Sequence, residues 1–212
     1  MRLVILGQSR KKEGSLSTIK AILFDMDGTV FDVPYNWSHI KTRLNTGGEP
    51  VLSFLNRLKE PERSQKWRIL IEIEKKATQK AVLKEGIKSL MAFLKKKKVR
   101  TALVTNNSMD NVRYLINKFG LSFDRFLSRE SGLWKPSGAP LLAVIKDFQL
   151  NPEDCCAVGD SLFDVRAAKE AGIPHVFILG KDGDAFSALD VKVFSSVSTL
   201  QHHLARLFST PD

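Results

Sequence analysis

The chain has 212 residues, 33 lysines and arginines against 23 aspartates and glutamates, and a formal net charge of +10. Its hydrophobic fraction of 43% and charged fraction of 26% are those of a globular protein, which excludes general disorder, collagen-like repeats and a disulfide scaffold. The length suits one compact domain with a modest insertion, and no apolar run approaches the roughly 20 residues of a membrane helix.

Residues 1–18 open on Met1-Arg2-Leu3-Val4-Ile5-Leu6-Gly7 and then turn polar and basic. The apolar stretch is too short for the core of a signal peptide. This N-terminal extension is left open as an extra strand, a flexible tail or a weak organellar signal. Ala21-Ile22-Leu23-Phe24 then reads as a buried strand, as do Thr101-Ala102-Leu103-Val104, Cys155-Cys156-Ala157-Val158 and Val176-Phe177-Ile178-Leu179. Continuous apolar runs of this length suit strands covered on both faces. Helical patterns fall between them, near 86–97, 108–119, 139–149 and 162–171, with N-caps at Ser108 and Ser161 and terminating glycines at Gly120 and Gly172. Strands alternating with helices predict an α/β fold, a Rossmann-like, doubly wound parallel sheet.

Residues 33–83 break the alternation. They carry helical periodicity around Ile40–Leu44, Val51–Leu58 and Trp67–Ala81, punctuated by Gly47-Gly48 and Pro61. This segment is expected to be a small helical cap inserted into a core domain made of 19–32 and 84–212. The dense cationic run Lys95–Lys98 reads as a solvated helix end, where cations complement the dipole, and no interleaved aromatics make it a nucleic-acid patch. Cys155 and Cys156 lack metal-ligand spacing and read as small buried residues in a reduced cytosol. The four histidines are read as non-catalytic.

In an open parallel sheet, ligands bind beyond the carboxyl ends of the strands. The residues there are Asp25-Met26-Asp27-Gly28-Thr29, Thr105-Asn106-Asn107 and Gly159-Asp160-Ser161-Leu162-Phe163-Asp164. Clustered carboxylates repel one another, so they need a cation, a shared proton or catalytic work. Asp25, Asp27, Asp160 and Asp164 supply hard oxygen ligands suited to magnesium. A carboxylate can attack phosphorus to form an aspartyl-phosphate, and a second can protonate the leaving group. Thr105 and Lys135 offer a hydroxyl and a positive charge for a transferring phosphoryl group.

Phe24-Asp25-Met26-Asp27-Gly28-Thr29-Val30 resembles the first signature of the haloacid dehalogenase-like superfamily. Thr105, Lys135-Pro136 and Gly159–Asp164 are similar to its second, third and fourth, over about residues 20 to 180. The insertion after Asp32 is similar to the cap of phosphoglycolate-phosphatase-like members, though short. The resemblance implies Asp25 as nucleophile and Asp27 as general acid/base with its backbone carbonyl on magnesium. It further implies Thr105 and Lys135 on the phosphoryl group, the Asn106 amide helping, and Gly28 and Thr29 aiming backbone amides at its oxygens. Asp160 would bind magnesium directly, and Asp164 through water or by orienting Lys135.

The acid at Asp27 and Met26 after the nucleophile favour a phosphatase over a dehalogenase or an ion pump. The fourth motif lacks the Glu-Asp pair of sugar phosphomutases. The expected protein is thus a cytoplasmic, magnesium-dependent phosphatase acting on a small anionic phosphorylated metabolite (phosphoglycolate-like, or a sugar or nucleotide monophosphate). It is expected as a monomer or homodimer with no nucleic-acid or membrane partner. A phosphomutase and a non-enzymatic basic scaffold are the alternatives. Within the cap, Arg43 is ranked first as the substrate-contacting cation, and Trp37 and Trp67 are read as packing.

Overall fold

The computed structural model describes residues 19–180 and 184–209, so the extension at 1–18 lies outside the described residues. The first strand, β1 (Ala21–Phe24), is wholly buried. After it come a short β2 (Phe31–Asp32), three helices, α1 (Trp37–Leu44), α2 (Val51–Arg57) and α3 (Glu62–Gln79), and a short β3 (Val82–Leu83). The chain then alternates through α4 (Ile87–Lys96), β4 (Arg100–Val104), α5 (Met109–Phe119), β5 (Arg125–Leu127), α6 (Ala139–Asp147) and β6 (Cys155–Gly159). It ends with α7 (Leu162–Glu170), β7 (His175–Leu179), β8 (Lys192–Phe194) and α8 (Val197–Leu207).

Six strands form one sheet in the order β5-β4-β1-β6-β7-β8, and every pairing is parallel. Alternation along each strand explains why the apolar runs are unbroken. Ile22 and Phe24 face one layer with Leu90 and Leu94 of α4, Leu115 of α5 and Leu200 and Leu204 of α8. Ala21 and Leu23 face the other, with Val144 and Ile145 of α6 and Val165 and Ala168 of α7. The adjacent cysteines split likewise, Cys156 to the first layer and Cys155 to the second, and both are free and buried. No helix among the described residues is long and apolar enough to cross a membrane.

Local signals set the helix ends. Ser108 caps α5, its side chain accepting from the Asn111 N–H, and Gly120 closes that helix in the left-handed region at φ 63°. The edge strands β5 and β8, and the two-residue β2 and β3, have no counterpart in the sequence reading. They are short and mostly half-exposed, so no apolar run marks them.

The three helices between β2 and β3 have their own apolar cluster, with Ile40, Leu44, Leu55 and Leu70 at its centre. Antiparallel β2 and β3 tie the two ends of that segment together, pairing Phe31 with Leu83 and Asp32 with Val82. A Lys84–Asp32 ion pair of 2.7 Å sits beside them. A second tie is buried. Leu70, Glu74 and Thr78 form the buried stripe of α3, and Glu74 takes both oxygens to the Arg129 guanidinium at 2.7 Å each. The side chains of that pair are only 6% exposed, and Arg129 lies over the Trp67 ring at 5.0 Å. Burial raises the Glu74 carboxyl above its ordinary value even though Arg129 opposes the shift.

Removing one partner of such a pair strands a buried charge. We expect Arg129→Met to lower unfolding free energy by about 3 kcal/mol or more, and Glu74→Leu with Arg129→Met to recover most of that loss. Urea unfolding of the single and double variants measures both. A single variant as stable as wild type would show that the pair is not closed in solution.

Candidate active site

Three neighbouring strands, β4, β1 and β6, end at one place. It is the point where the winding of the sheet reverses, since the chain leaves β1 toward β4 and returns to β6 on the other side. Thr105 follows β4, Asp25 follows β1 and Asp160 follows β6, and all three line a cavity of about 700 Å³.

The centre of the site is an ammonium. Lys135 is 5% exposed and its Nζ touches Asp25 Oδ1 and Asp164 Oδ1, the latter at 2.6 Å. Burial alone would push the lysine down, but Asp164 and Asp25 outweigh it and hold the ammonium above its ordinary value. Asn106 fixes the lysine backbone from both sides. Its amide donates to Lys135 O and its carbonyl accepts from Lys135 N, both at 2.8 Å.

Asp164 belongs to the first turn of α7, where it completes a capping box with Ser161. Its Oδ2 accepts from the Ser161 hydroxyl at 2.6 Å and from the Ser161 and Asp160 N–H groups at 3.1 and 3.3 Å. One helix cap thereby aims the other oxygen at Lys135. A Cβ on Gly159 would lie 2.3 Å from the Asp164 side chain, so only glycine permits this approach. Gly28 sits at φ +85°, and a Cβ there would lie 1.9 Å from Asp160 Oδ2.

Oxygens of Asp25, Asp160 and Asp164 lie within 4.8 Å of one another. Three hard carboxylate donors around one lysine carry a net negative charge and fit a divalent cation such as magnesium. The Asp27 carboxylate is not in that group. Its Oδ2 accepts from Asn107 Nδ2 at 2.9 Å, while its Oδ1 is buried with no partner among the described residues. Burial raises the three cavity-lining aspartates: Asp25 to about 6, with Lys135 opposing the rise, Asp160 to about 7 and Asp27 to about 8, the nearby Asp25 adding to it.

Four expectations from the sequence need correction or completion. The Gly28 N–H donates to Phe31 O at 2.7 Å, because the turn satisfies its own backbone, so that amide does not face the cavity as expected. Thr29 is wholly buried and is not among the residues lining the cavity. Arg43 is exposed and off the cavity. Two residues earlier, Lys41 lines it together with Trp37 one turn before, because two steps on a helix rotate a side chain by about 200°. Trp37, read as packing, is 50% exposed at that wall.

Asn107 has a role that its motif does not spell out. It links Asp27 to Tyr35, donating to the Tyr35 hydroxyl at 2.7 Å, and its own carbonyl accepts from Asn111 Nδ2 at 2.8 Å and Ser108 N at 2.7 Å. The N-cap position of Ser108 was the available signal, since the first turn of α5 holds Asn107 in place. Among the described residues no histidine lines the cavity.

The raised carboxyls make a statement about stability. A carboxyl whose folded value exceeds its unfolded value binds its proton more tightly when folded, so stability falls as pH rises from about 4 through 8. We expect the metal-free protein to melt at a lower temperature at pH 8 than at pH 5.5. Asp160→Asn should raise the pH 8 value by a few degrees and flatten the profile, and added magnesium should lift wild type far more than the variant. Differential scanning calorimetry in chelator, with and without magnesium, reads all three, and a wild-type profile that rises with pH would contradict the cause assigned.

Known proteins resemble this chain in sequence and in fold. The model of the family described as haloacid dehalogenase-like hydrolase matches residues 36–172. An uncharacterized hydrolase of Saccharomyces cerevisiae is 30% identical, over 74% of this chain and 76% of its own. A phosphorylated carbohydrates phosphatase of Thermotoga maritima is 25% identical over 75% and 84%. Among solved structures, CbbY from Rhodobacter sphaeroides, in complex with phosphate, superposes with a TM-score of 0.67 at 25% identity, covering 86% of this chain and 96% of that one. The chain belongs to the haloacid dehalogenase-like hydrolase family, a family of enzymes.

Proposed function

We propose that the protein is a magnesium-dependent phosphatase that hydrolyses a small phosphorylated metabolite through an aspartyl-phosphate on Asp25, working in the reducing cytoplasm that its free, buried Cys155 and Cys156 suit. The observation that carries the reading is the contrast between two acids two residues apart. Asp25 is held against the Lys135 ammonium and is ionised at neutral pH, as a nucleophile must be. Asp27 has only a neutral amide partner and, at about 8, keeps its proton at neutral pH, as a general acid must.

An Asp25 carboxylate oxygen forms a bond to phosphorus as the bond from phosphorus to the substrate oxygen breaks. Asp27 gives its proton to that departing oxygen, and the alcohol leaves. Asp27, now a carboxylate, takes a proton from water as the water oxygen bonds to phosphorus. The bond between phosphorus and Asp25 breaks, inorganic phosphate leaves, and both acids regain their starting states. Lys135 and Thr105, which share the cavity wall, would meet the charge that develops on the phosphoryl oxygens.

Asp25 and Asp160 would hold the magnesium, with the backbone carbonyl of Asp27. Asp164 has both oxygens engaged, which suits the role of orienting Lys135. When bound, the cation would neutralise negative charge shared between the carboxylates and the phosphoryl group. The helices α1 to α3 would serve as a cap over residues 33–83, with 19–32 and 84–212 as the core. The Thermotoga relative, which carries the name of a phosphatase of phosphorylated carbohydrates, supports the reaction class.

Free phosphate release from a panel of phosphorylated metabolites should require magnesium and fall by at least about a thousandfold in Asp25→Asn. Asp27→Asn should lose about a hundredfold or more on alkyl phosphates but much less on p-nitrophenyl phosphate, whose leaving group needs no proton. Release that survives in Asp25→Asn, or an isomerised ester in place of free phosphate, would sink the reading.

A further inference from the structure

The cavity is far larger than a phosphoryl group needs, and its outer part differs in character from its floor. Beyond the acids and Lys135, the walls are mainly apolar and aromatic: Tyr35 and Trp37 from the cap entrance, Val51 and Leu52 from α2, Trp134 from the loop before Lys135, and Phe163 from α7. The Tyr35 and Trp37 rings stand 5.1 Å apart and tilted by 41°, and half of Trp37 is exposed. A tryptophan left this open on the mouth of a cavity is apolar surface awaiting a partner.

The polar atoms along the same walls are already engaged. Asn106 is bonded to the Lys135 backbone, Asn107 to Asp27 and Tyr35, Glu74 to Arg129 and the Ser161 hydroxyl to Asp164. Outside the phosphoryl end, the side chains of Lys41 and Ser53 and the indole N–H groups of Trp37 and Trp134 are the lining polar groups for which no hydrogen bond or ion pair is found among the described residues. A polyhydroxylated substrate would bury several hydroxyls against a mainly apolar wall, with the Ser53 hydroxyl as the acceptor among those four groups, and each unmet group costs about 1–3 kcal/mol. A flat ring loses nothing there and removes apolar surface from water. A second phosphate would find Lys41 and no cluster of cations.

We propose that the substrate of this site is a phosphomonoester whose leaving group carries an aromatic or heteroaromatic ring, seated against Trp37, Tyr35 and Trp134, with room for one acidic substituent at Lys41. The proposal rests on the phosphatase reading and names its substrate class. Hydrolysis would release the ring-bearing alcohol and inorganic phosphate by the steps already given.

The test compares esters of primary alcohols, so that leaving-group basicity stays similar: benzyl phosphate, 4-carboxybenzyl phosphate, glycerol 3-phosphate and glucose 6-phosphate, with acetyl phosphate as a substrate lacking any body. With magnesium, kcat/KM for benzyl phosphate should exceed that for the glycerol and glucose esters by at least about tenfold. The 4-carboxyl group should add several-fold, and Lys41→Gln should remove that addition. Trp37→Leu should reduce the ratio of benzyl to glycerol ester by about tenfold while Trp37→Phe preserves most of it.

Benzylphosphonate, which cannot be hydrolysed, gives the binding arm through tryptophan fluorescence. It should bind wild type and Trp37→Phe, and bind Trp37→Leu at least about tenfold more weakly, with circular dichroism checking that each variant is folded. Glycerol or glucose ester hydrolysed as well as benzyl phosphate would overturn the substrate class and leave the phosphatase standing. A benzyl-to-glycerol ratio unchanged in Trp37→Leu would overturn the ring's seat, and a carboxyl effect that survives Lys41→Gln would overturn the role of Lys41. No hydrolysis of any compound, acetyl phosphate included, by folded protein with magnesium would overturn the phosphatase reading and this proposal with it.

Discussion

A single buried ammonium, that of Lys135, holds the candidate site in shape. An isolated lysine taken out of water would lose its charge, and Asp25 and Asp164 prevent that. The dependence also runs the other way. Asp25, Asp160 and Asp164 crowd within 4.8 Å and could not all ionise without a cation among them. Asn106 fixes the lysine backbone, the α7 cap fixes Asp164, and the absence of a Cβ at Gly28 and Gly159 admits the acids to that distance. Four separate segments of the chain are thereby joined at one charge. Three acids against one lysine still leave a deficit of positive charge, which a bound divalent ion would fill.

The same arrangement divides two acids that the sequence presents almost side by side. Asp25 ends its strand facing Lys135, while Asp27, one turn of backbone later, meets the Asn107 amide. Both lose water to the same degree of burial, so the difference between them comes from the partner. A cation opposes the rise at Asp25, and a neutral amide does so less at Asp27, which also feels the charge of Asp25. Two acids in a single cavity are thereby set apart, Asp27 above Asp25. Asn107 is itself fixed by the first turn of α5, through Asn111 and the Ser108 N–H, so secondary structure reaches the acid through one side chain.

The central sheet was legible because its strands are covered on both faces. Four of them appear in the sequence as unbroken apolar runs, and their bounds shift by a residue at most. Arg125-Phe126-Leu127 and Lys192-Val193-Phe194 lie at the edges, are three residues long and carry a charge, so nothing in their composition separates them from loop. The acids were legible since they fall just after buried strands, and Lys135 through the Lys135-Pro136 pair. The segment 33–83 was legible as helices but not as a surface. Which side of α1 meets the cavity depends on how the helix sits over the core, so Arg43 was ranked ahead of Lys41. Glu74 was hidden because a glutamate at a buried position of α3 is recognisable only with Arg129, 55 residues later, in view. The Gly28 amide went to its own turn, a bond that no motif spells out.

Trp134 shows how the two ends of the cavity are coupled. It precedes Lys135 directly, comes from the core, and packs half-buried against the apolar cluster of α1 to α3. Lys135 and the residue that meets the helices above it therefore share one peptide bond. Any shift of those helices that moves Trp134 is passed to the Lys135 backbone, which Asn106 resists with two hydrogen bonds. The Glu74–Arg129 pair limits such shifts from the other side, since α3 cannot leave the core without exposing or separating a buried charge pair. Among the ties that hold the helices are three of different kinds: the β2–β3 pairing, the ion pair and the Trp134 contact. Only the last reaches directly to the residue that carries the site's positive charge. The shape of the upper wall and the placement of the ammonium below thus meet, on this geometry, at one tryptophan.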